Sequence, residues 1–250
     1  VLPGRILHEL IHNDRVIGGI TSAASEAGRS FYASFCLGEL LTTNSRTAEL
    51  VKLTENSFRD VNIAFANELS LVCDRLEINV LELIRLTNHH PRVNVLQPGC
   101  GVGGHCIAVD PWFIASEVPD CTPLIQAARH VNDDKSQWVI DQVEARSHAL
   151  AEQLGRSPRI GCLGLAFKPD VDDLRESPAL HITTKLLQSD FDVLACEPNL
   201  EHHPTIKLYS LDQVLVDADL LVFLVAHSSF KGLNLANHYV FDLCGVTQQL

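Results

Sequence analysis

The sequence predicts an α/β protein in which a long helical region is followed by a Rossmann-like, doubly wound parallel sheet. From Arg159 onward, strand-like runs alternate with helix-like runs, which is typical of such sheets. An unusually long helical pattern extends from about Ala48 to Leu76. A strand, a helix and a second strand precede that pattern. Two strands cannot close a sheet, so we interpret this first segment as the end of a larger unit.

The first segment and the long helix have clear sequence signals. Asp14–Gly19 reads as a short strand stopped by glycines, Ser25–Cys36 has helical spacing, and Leu40–Thr43 reads as a second strand. Residues 44–47 offer capping side chains before the long helix. Because apolar residues occupy much of its circumference, we expect this helix to be buried on more than one side.

The remainder of the chain divides at the linker Gly155–Pro158. Before the linker, helical patterns cover Val80–Leu86 and the residues from Asp110 to Leu154. After it, the predicted strands are Ile160–Ala166, Asp192–Cys196, Leu220–Val225 and Tyr239–Leu243, and the predicted helices are Ser177–Gln188 and Leu211–Asp217. We therefore predict three parts, with boundaries at residues 1–45, 46–155 and 156–250.

Composition excludes several classes of function. Lys and Arg total 19 against 31 Asp and Glu, for a formal net charge of −12 without any basic block, so we expect no nucleic-acid or anionic-membrane partner. The longest strongly apolar run, Leu220–Ala226, is far too short to span a bilayer, and no leader opens the chain. These features predict a cytoplasmic protein. Since the sequence contains no Met, we also expect it to be a fragment.

A glycine-rich stretch carries the first candidate chemistry. Gly99–Gly104 follows Pro98 rather than a buried strand, so it matches a dinucleotide fingerprint poorly. It is better interpreted as a loop whose backbone N–H groups approach an anion, with a plain flexible loop as the alternative. Cys106 ends this loop. If Ile107–Asp110 forms a helical turn, the turn's N-terminus favours a thiolate, and Cys106 is a candidate nucleophile; a small buried cysteine is the alternative.

Zinc is a weaker interpretation of the same region. His and Cys side chains suit zinc, but the spacing contains no C-x2-C or H-x3-H pair, and adjacent His105 and Cys106 cannot easily face one ion. We predict no metal site.

Two further groups of residues point to an anionic ligand. Lys52, Asn56 and Arg59 lie at i, i+4 and i+7 on the long helix, hence on one face, which is either a solvated stripe or an internal anion site. In the second sheet, Phe167-Lys168 suits stacking on a base and pairing with a phosphate. Glu197 ends a strand where a ribose-binding acid would lie, although the third fingerprint glycine is absent.

Three motifs, in the same order, resemble the UDP-glucose/GDP-mannose dehydrogenase family of nucleotide-sugar 6-dehydrogenases. They are Thr47–Asn56, Gly101–Pro111, and Gly164–Lys168 together with Leu174–Pro178. Within the family, Arg92–Gly99 and Ile107–Phe113 most resemble the branch that acts on UDP-N-acetyl-D-mannosamine, with the UDP-N-acetylglucosamine branch as an alternative.

The resemblance implies an organisation and a set of partners. Family members have an N-terminal Rossmann domain for NAD, a central helix that forms the core of a homodimer, and a C-terminal Rossmann-like domain for a UDP-sugar. This chain resembles the last two parts and the tail of the first, without the NAD fingerprint. The chain alone is therefore expected to be inactive, and a non-catalytic, dimerising UDP-sugar-binding module is the alternative from another class.

The resemblance also implies roles for individual residues. C6 of the sugar is oxidised twice, with NAD as oxidant, through a thiohemiacetal and a thioester on Cys106. Lys52 and Asn56 stabilise the oxyanion, and Asp110 acts as a base or orients water. The substrate-binding positions are matched by Val1, Arg59, His90, Arg92, Gly103, Phe167 and Lys168, and Arg175 matches an NAD contact.

Two positions depart from the family pattern. Cys100 stands six residues before Cys106, where the family usually has proline or a bulkier residue, so a disulfide between the two is conceivable. The family places a basic substrate contact shortly after the aspartate matching Asp242, whereas Leu243 and Cys244 follow here, and we expect a reduced affinity.

Overall fold

The computed structural model describes residues 5–236 and 238–247. It divides into two compact units between Ser57 and Phe58. The first unit holds α1 (Ile6–His12), β1 (Arg15–Gly19), α2 (Ser22–Tyr32), β2 (Leu40–Asn44) and the start of α3 (Ser45–Arg75). Strands β1 and β2 are parallel, so the strand-helix-strand prediction for this segment is confirmed. The side chain of Asn44 accepts a hydrogen bond from the N–H of Thr47 (2.9 Å), which caps the predicted long helix.

The second unit contains the rest of α3 and all later elements. These are α4 (Val80–Thr87), α5 (Asp110–Glu117), α6 (Pro123–Leu154), β3 (Arg159–Leu163), α7 (Pro178–Gln188), β4 (Asp192–Cys196), α8 (Leu211–Asp217), β5 (Leu220–Phe223) and β6 (Tyr239–Asp242). Helix α6 ends at Gly155, whose φ of 68° is left-handed and therefore favours glycine. The predicted linker starts at this residue.

The sheet of the second unit has the predicted doubly wound architecture. Its strand order is β4-β3-β5-β6, and each neighbouring pair is parallel. On one face, Val139 and Val143 of α6 pack with Ile182 of α7. On the other, Val214 of α8 packs with Phe230. Helices thus cover both faces, and strands β3, β4 and β5 are accordingly buried almost throughout.

Helix α3 differs from its prediction. One side is buried, including Asp60, Ala66 and Asn67. Phe58, Phe65 and Val72, spaced by seven residues, are 69%, 53% and 46% exposed. The expectation of burial on more than one side is therefore wrong for the single chain. Spacing by seven residues places the three side chains on one face, which we call the α3 apolar stripe.

Candidate functional site

Cys106 lies in a tight turn that leads directly into α5. Its carbonyl accepts hydrogen bonds from the N–H groups of Val109 (3.1 Å) and Asp110 (2.7 Å). The helical turn predicted over Ile107–Asp110 is therefore present, and α5 begins at Asp110 with proline at the next position. The Cys106 side chain is partly exposed. A partly exposed thiol at the start of a helical turn can be reached by a ligand.

The last two glycines before Cys106 pack closely against the segment after β3. A Cβ on Gly103 would lie 2.5 Å from the carbonyl oxygen of Glu176 and 2.8 Å from the Cβ of Phe167, and a Cβ on Gly104 would lie 3.0 Å from the Phe167 ring. The N–H of Gly104 donates to the carbonyl of Arg175 (3.0 Å). These glycines let the loop pack tightly against the segment after β3, so the interpretation as an anion-binding loop is not supported at Gly104.

This packing brings two of the predicted site motifs together. Phe167 is half-buried against Gly103 and Gly104, and Lys168 follows it. The Lys168 ammonium lies 5.3 Å from the centre of the Phe167 ring, within cation–π range. The Cys106 loop and the Phe167-Lys168 turn are therefore neighbours, at the carboxyl end of β3, where ligands bind in open α/β sheets.

Arg175 lies on the same side of the second unit. Its guanidinium donates to both carboxylate oxygens of Asp173, at distances from 2.6 to 3.1 Å. Hydrogen bonding to Asp173 raises the pKa of Arg175, and the nearby thiol of Cys106 makes a smaller contribution in the same direction. Arg175 in turn lowers the pKa of Asp173 to about 2. The Arg175 guanidinium and the Cys106 sulfur are therefore within electrostatic range of each other.

Other predicted substrate contacts lie elsewhere in the second unit. His90 and Arg92 are exposed in the turn after α4, where His90 Nδ1 accepts the N–H of Arg92 (3.3 Å). Arg59 is an exposed residue of α3. The described contacts join none of these three side chains to Cys106 or Phe167.

Two predicted catalytic residues belong to the first unit. Lys52 is exposed and lines a cavity of about 450 Å³ together with Arg15, Tyr32 and Glu55. Asn56 is half-buried one turn further along α3. The remaining predicted contact, Val1, lies outside the described residues.

The structure does not place Cys100 in a disulfide with Cys106. All eight cysteines are free. Cys100 is buried, and its thiol donates to the carbonyl of Leu224 (3.5 Å). Burial raises the pKa of Cys100 to about 12, so it is a poor nucleophile.

Glu197 also differs from its sequence interpretation. Its carboxylate is buried, and Oε2 accepts the backbone N–H groups of Leu165 (2.7 Å) and Ala166 (2.9 Å). The side chain is consequently unavailable to a ribose. The position of Glu197 at the end of a predicted strand does not reveal that its side chain points inward, toward the N–H groups of Leu165 and Ala166.

A buried polar network anchors the glycine loop, and the sequence analysis did not identify it. Asn67 of α3 accepts the N–H of Gly99 (2.9 Å) and donates to Asn132 of α6 (2.9 Å). Asn132 in turn donates to Asp60 (2.8 Å), which also accepts from Arg129 (2.7 Å). In the sequence, this network could be seen only as Arg129 and Asn132 spaced three residues apart, and therefore on one face of α6. This network fixes the start of the loop that leads to Cys106.

A cavity of about 800 Å³ lies beside this network. It is lined by Val109, Arg129, Asn132, Glu176 and Pro178, among others. None of Cys106, Phe167, Lys168 and Arg175 lines it. Ala108 and Val109 of the Cys106 turn line this cavity, whereas Cys106 itself does not.

Two searches of the described residues were negative. In residues 5–236 and 238–247, no three His, Cys, Asp or Glu side chains are grouped as a metal site requires. No helix of the same residues combines the length and apolar character that a membrane span needs.

Two models of protein-family domains together match most of the chain. Residues 46–134 match the central domain of the UDP-glucose/GDP-mannose dehydrogenase family. Residues 161–249 match the UDP binding domain of the same family.

Curated relatives carry one recurrent name. The chain is 54% identical over 238 residues to a UDP-N-acetyl-D-mannosamine dehydrogenase of Campylobacter jejuni, covering 92% of this chain and 57% of the relative. It is 55% identical over 258 residues to the enzyme of that name from Escherichia coli, covering 98% and 61%. The chain thus spans about 60% of the length of the curated relatives that it matches.

Solved structures agree with these matches. A UDP-N-acetyl-mannosamine dehydrogenase from Staphylococcus aureus is 44% identical, with a TM-score of 0.87 over 100% of this chain and 60% of that one. A UDP-D-ManNAc dehydrogenase from Pyrococcus horikoshii is 36% identical, with a TM-score of 0.88 and the same two coverages.

Proposed function

Because the chain belongs to the UDP-glucose/GDP-mannose dehydrogenase family, we propose that it acts in the NAD-dependent oxidation of C6 of UDP-N-acetyl-D-mannosamine to the uronate. The observation that carries the proposal is the contact of the Cys106 loop with the Phe167-Lys168 turn, made through Gly103 and Gly104. This contact supports the proposal, because it brings the Cys106 loop next to the Phe167-Lys168 turn. The names of the relatives support the choice of sugar.

The proposed chemistry uses Cys106 as a covalent catalyst. Removal of a hydride and a proton from the C6 alcohol gives an aldehyde, and the Cys106 thiolate adds to its carbon to form a thiohemiacetal. Loss of a second hydride and proton gives a thioester, which water cleaves to the carboxylate and the free thiol. Covalent capture retains the reactive aldehyde between the two oxidations.

Other residues support each step. Lys52 and Asn56 stabilise the oxygen that becomes negative, and Asp110 accepts a proton or orients the water. Asp110 starts α5, one turn after Cys106, so its carboxyl group is carried by the same turn as the thiol. Arg175 adds a positive charge near the sulfur.

When bound, NAD supplies the hydride acceptor for both oxidations. The described residues do not form a dinucleotide site in the second sheet, because Glu197 occupies the backbone N–H groups after β3 that a pyrophosphate would use. NAD dependence consequently rests on the family resemblance, and we derive no geometry for it.

We also propose a homodimer that buries the α3 apolar stripe. Phe58, Phe65 and Val72 form a row of exposed apolar side chains along one helix face, the arrangement that a second helix covers in a bundle. A second α3 helix packed on this row would bury these side chains, which are exposed to solvent in the single chain.

A second candidate function is a dimerising UDP-sugar-binding module without turnover. It is favoured by the family matches, which cover the central domain at residues 46–134 and the UDP binding domain at residues 161–249. Calorimetric titration of the chain with UDP and with NAD distinguishes the two candidates. Binding of UDP by the chain without NADH formation supports the module for this chain and leaves the activity of the full-length protein intact. Formation of two NADH per uronate by the full-length protein supports the dehydrogenase. Failure to bind UDP would contradict both.

A further inference from the structure

A buried pair of side chains lies under the turn that carries Phe167 and Lys168. Glu197 directly follows β4, and His227 follows β5; the side chains of both are completely buried. The sequence analysis gave His227 no role. The pair is connected to both ends of the turn, residues 165–170.

Glu197 holds the first end of the turn. Besides the N–H groups of Leu165 and Ala166, its carboxylate accepts the N–H of Asn199 (3.0 Å). Burial alone would raise the pKa of Glu197, but hydrogen bonds from His227 and these N–H groups lower it to about 2. The carboxylate is therefore ionised, and it occupies the position after a first Rossmann strand where other proteins of this architecture bind a phosphate.

His227 holds the second end of the turn. The N–H of Asp170 donates to Nδ1 (3.0 Å), so this nitrogen carries a lone pair and the ring proton is on Nε2. Nε2 lies 3.1 Å from Glu197 Oε2 and donates to it. The imidazole thus bridges the carboxylate and the far end of the turn.

The charged groups around the bridge are few. Asp170 Oδ1 lies 3.8 Å from His227 Nδ1 and accepts the N–H (2.8 Å) and the hydroxyl (2.9 Å) of Ser228. Lys231 acts on Asp170 from a greater distance. The ring of Phe230 packs edge-on against the imidazole and excludes water from it.

We propose that Glu197 and His227 are positioning residues for the uridine diphosphate site. They fix residues 165–170 so that Phe167 and Lys168 face the ligand, and Glu197 excludes a pyrophosphate from the N–H groups of Leu165 and Ala166. A diphosphate is consequently held at the Lys168 side of the turn. This inference rests on the proposed function, because it assumes that the turn binds UDP.

The test is UDP binding to the whole chain by calorimetry, together with hydrogen exchange of the Leu165, Ala166 and Asp170 amides. His227→Phe removes the hydrogen bonds that the ring makes with Asp170, Glu197 and Asn199, and Glu197→Gln keeps the shape but loses one acceptor oxygen. Each variant should weaken UDP binding about tenfold, the effect of one strong hydrogen bond, and should accelerate exchange of these amides. His238→Gln, which changes another part-buried histidine of the same unit, should leave both readouts unchanged.

Rescue by a conservative variant gives a readout that a merely structural role would not change. His227→Gln can accept the N–H of Asp170 and donate to Glu197, so it should bind UDP more tightly than His227→Phe does. Failure of the wild type to bind UDP would overturn the proposed function. Wild-type binding with unchanged UDP affinity in both variants would overturn the positioning role alone.

Discussion

The Arg129 guanidinium donates from Nη1 to Oδ1 of Asp60 at 2.7 Å, and both side chains are buried between α3 and α6. Burial raises the pKa of Asp60 despite the opposing charge and hydrogen bond of Arg129. The loss of hydration of the Asp60 carboxylate is therefore the largest effect on its pKa. Removing either Asp60 or Arg129 would leave the other charge buried and unpaired, which would strongly destabilise the fold.

Arg129→Met should lower the free energy of unfolding by about 3–5 kcal/mol, because it leaves a buried, unpaired carboxylate. The loss should be smaller at pH 5 than at pH 8, since Asp60 can then take up a proton. Urea denaturation at the two pH values measures both effects. Asp133→Asn is the control: Asp133 also pairs with Arg129 but is half-exposed, and its loss should cost less than about 1 kcal/mol. Equal losses in the two variants would contradict this assignment.

Gly103→Ala should impair UDP binding more than it impairs folding. The added methyl group would meet a backbone oxygen at 2.5 Å and Phe167 at 2.8 Å, so the loop and the Phe167-Lys168 turn must separate. We expect UDP affinity to fall by about tenfold or more, as for a site misplaced by a fraction of an ångström. In Gly99→Ala the nearest atom is 3.9 Å away, so this control should bind UDP normally. Normal binding by both variants would show that the contact does not position the turn.

The α3 apolar stripe predicts the oligomeric state. Phe65→Asp introduces a charge in the centre of the stripe, and a dimer formed through it should dissociate to monomers at micromolar concentration. Sedimentation velocity measures the change. Val216→Asp is a matched control, because Val216 is 84% exposed on α8, outside the stripe. A dimer that persists in Phe65→Asp, or a wild-type chain that is monomeric, would be evidence against this interface.

The sequence predicted the helices and strands well, but it predicted less well which side chains are buried and what they contact. Strands β4 and β5 and helix α8 were predicted closely, since uninterrupted apolar runs and N-capping residues are local signals. The exposure of Phe58 and the buried roles of Arg129, Glu197 and His227 depend on which elements meet in space. That information is not local, so a buried network of polar side chains resembles a solvated face when it is read from sequence.

The same limit applies to the glycine loop. Its composition correctly indicated a close approach of the backbone, but the approaching group at Gly103 is the chain's own Phe167 rather than an anion. The turn at Cys106 could be predicted because Asp110-Pro111 is a local helix-start signal. The proximity of Arg175 to Cys106 could not, since 69 residues separate them in sequence.

Buried thiols predict a loss of stability at alkaline pH. Burial raises the pKa of Cys100, Cys162 and Cys196 from 9.0 to about 12. Above pH 9 the unfolded thiols ionise while the folded ones stay protonated, so each removes about 1.4 kcal/mol of stability per pH unit until the folded group ionises.

Urea denaturation under reducing conditions at pH 8 and pH 10.5 tests this slope. Cys162→Ala should be less stable than wild type at pH 8 because of its cavity, but should lose less stability on going to pH 10.5. Cys121→Ser changes an exposed thiol and should retain the wild-type slope. If Cys162→Ala lost as much stability as wild type between pH 8 and pH 10.5, the Cys162 thiol would have the same pKa in the folded and unfolded protein, contrary to this prediction.

The most direct test of the account is uronate formation from UDP-N-acetyl-D-mannosamine and NAD by the full-length enzyme carrying Cys106→Ser, measured beside full-length wild type and the exposed-thiol control Cys121→Ser. We predict two NADH per uronate for wild type and the control, and no uronate for Cys106→Ser, because a serine hydroxyl at this turn would not capture the aldehyde. Undiminished uronate formation by Cys106→Ser would contradict the assignment of Cys106 as the nucleophile.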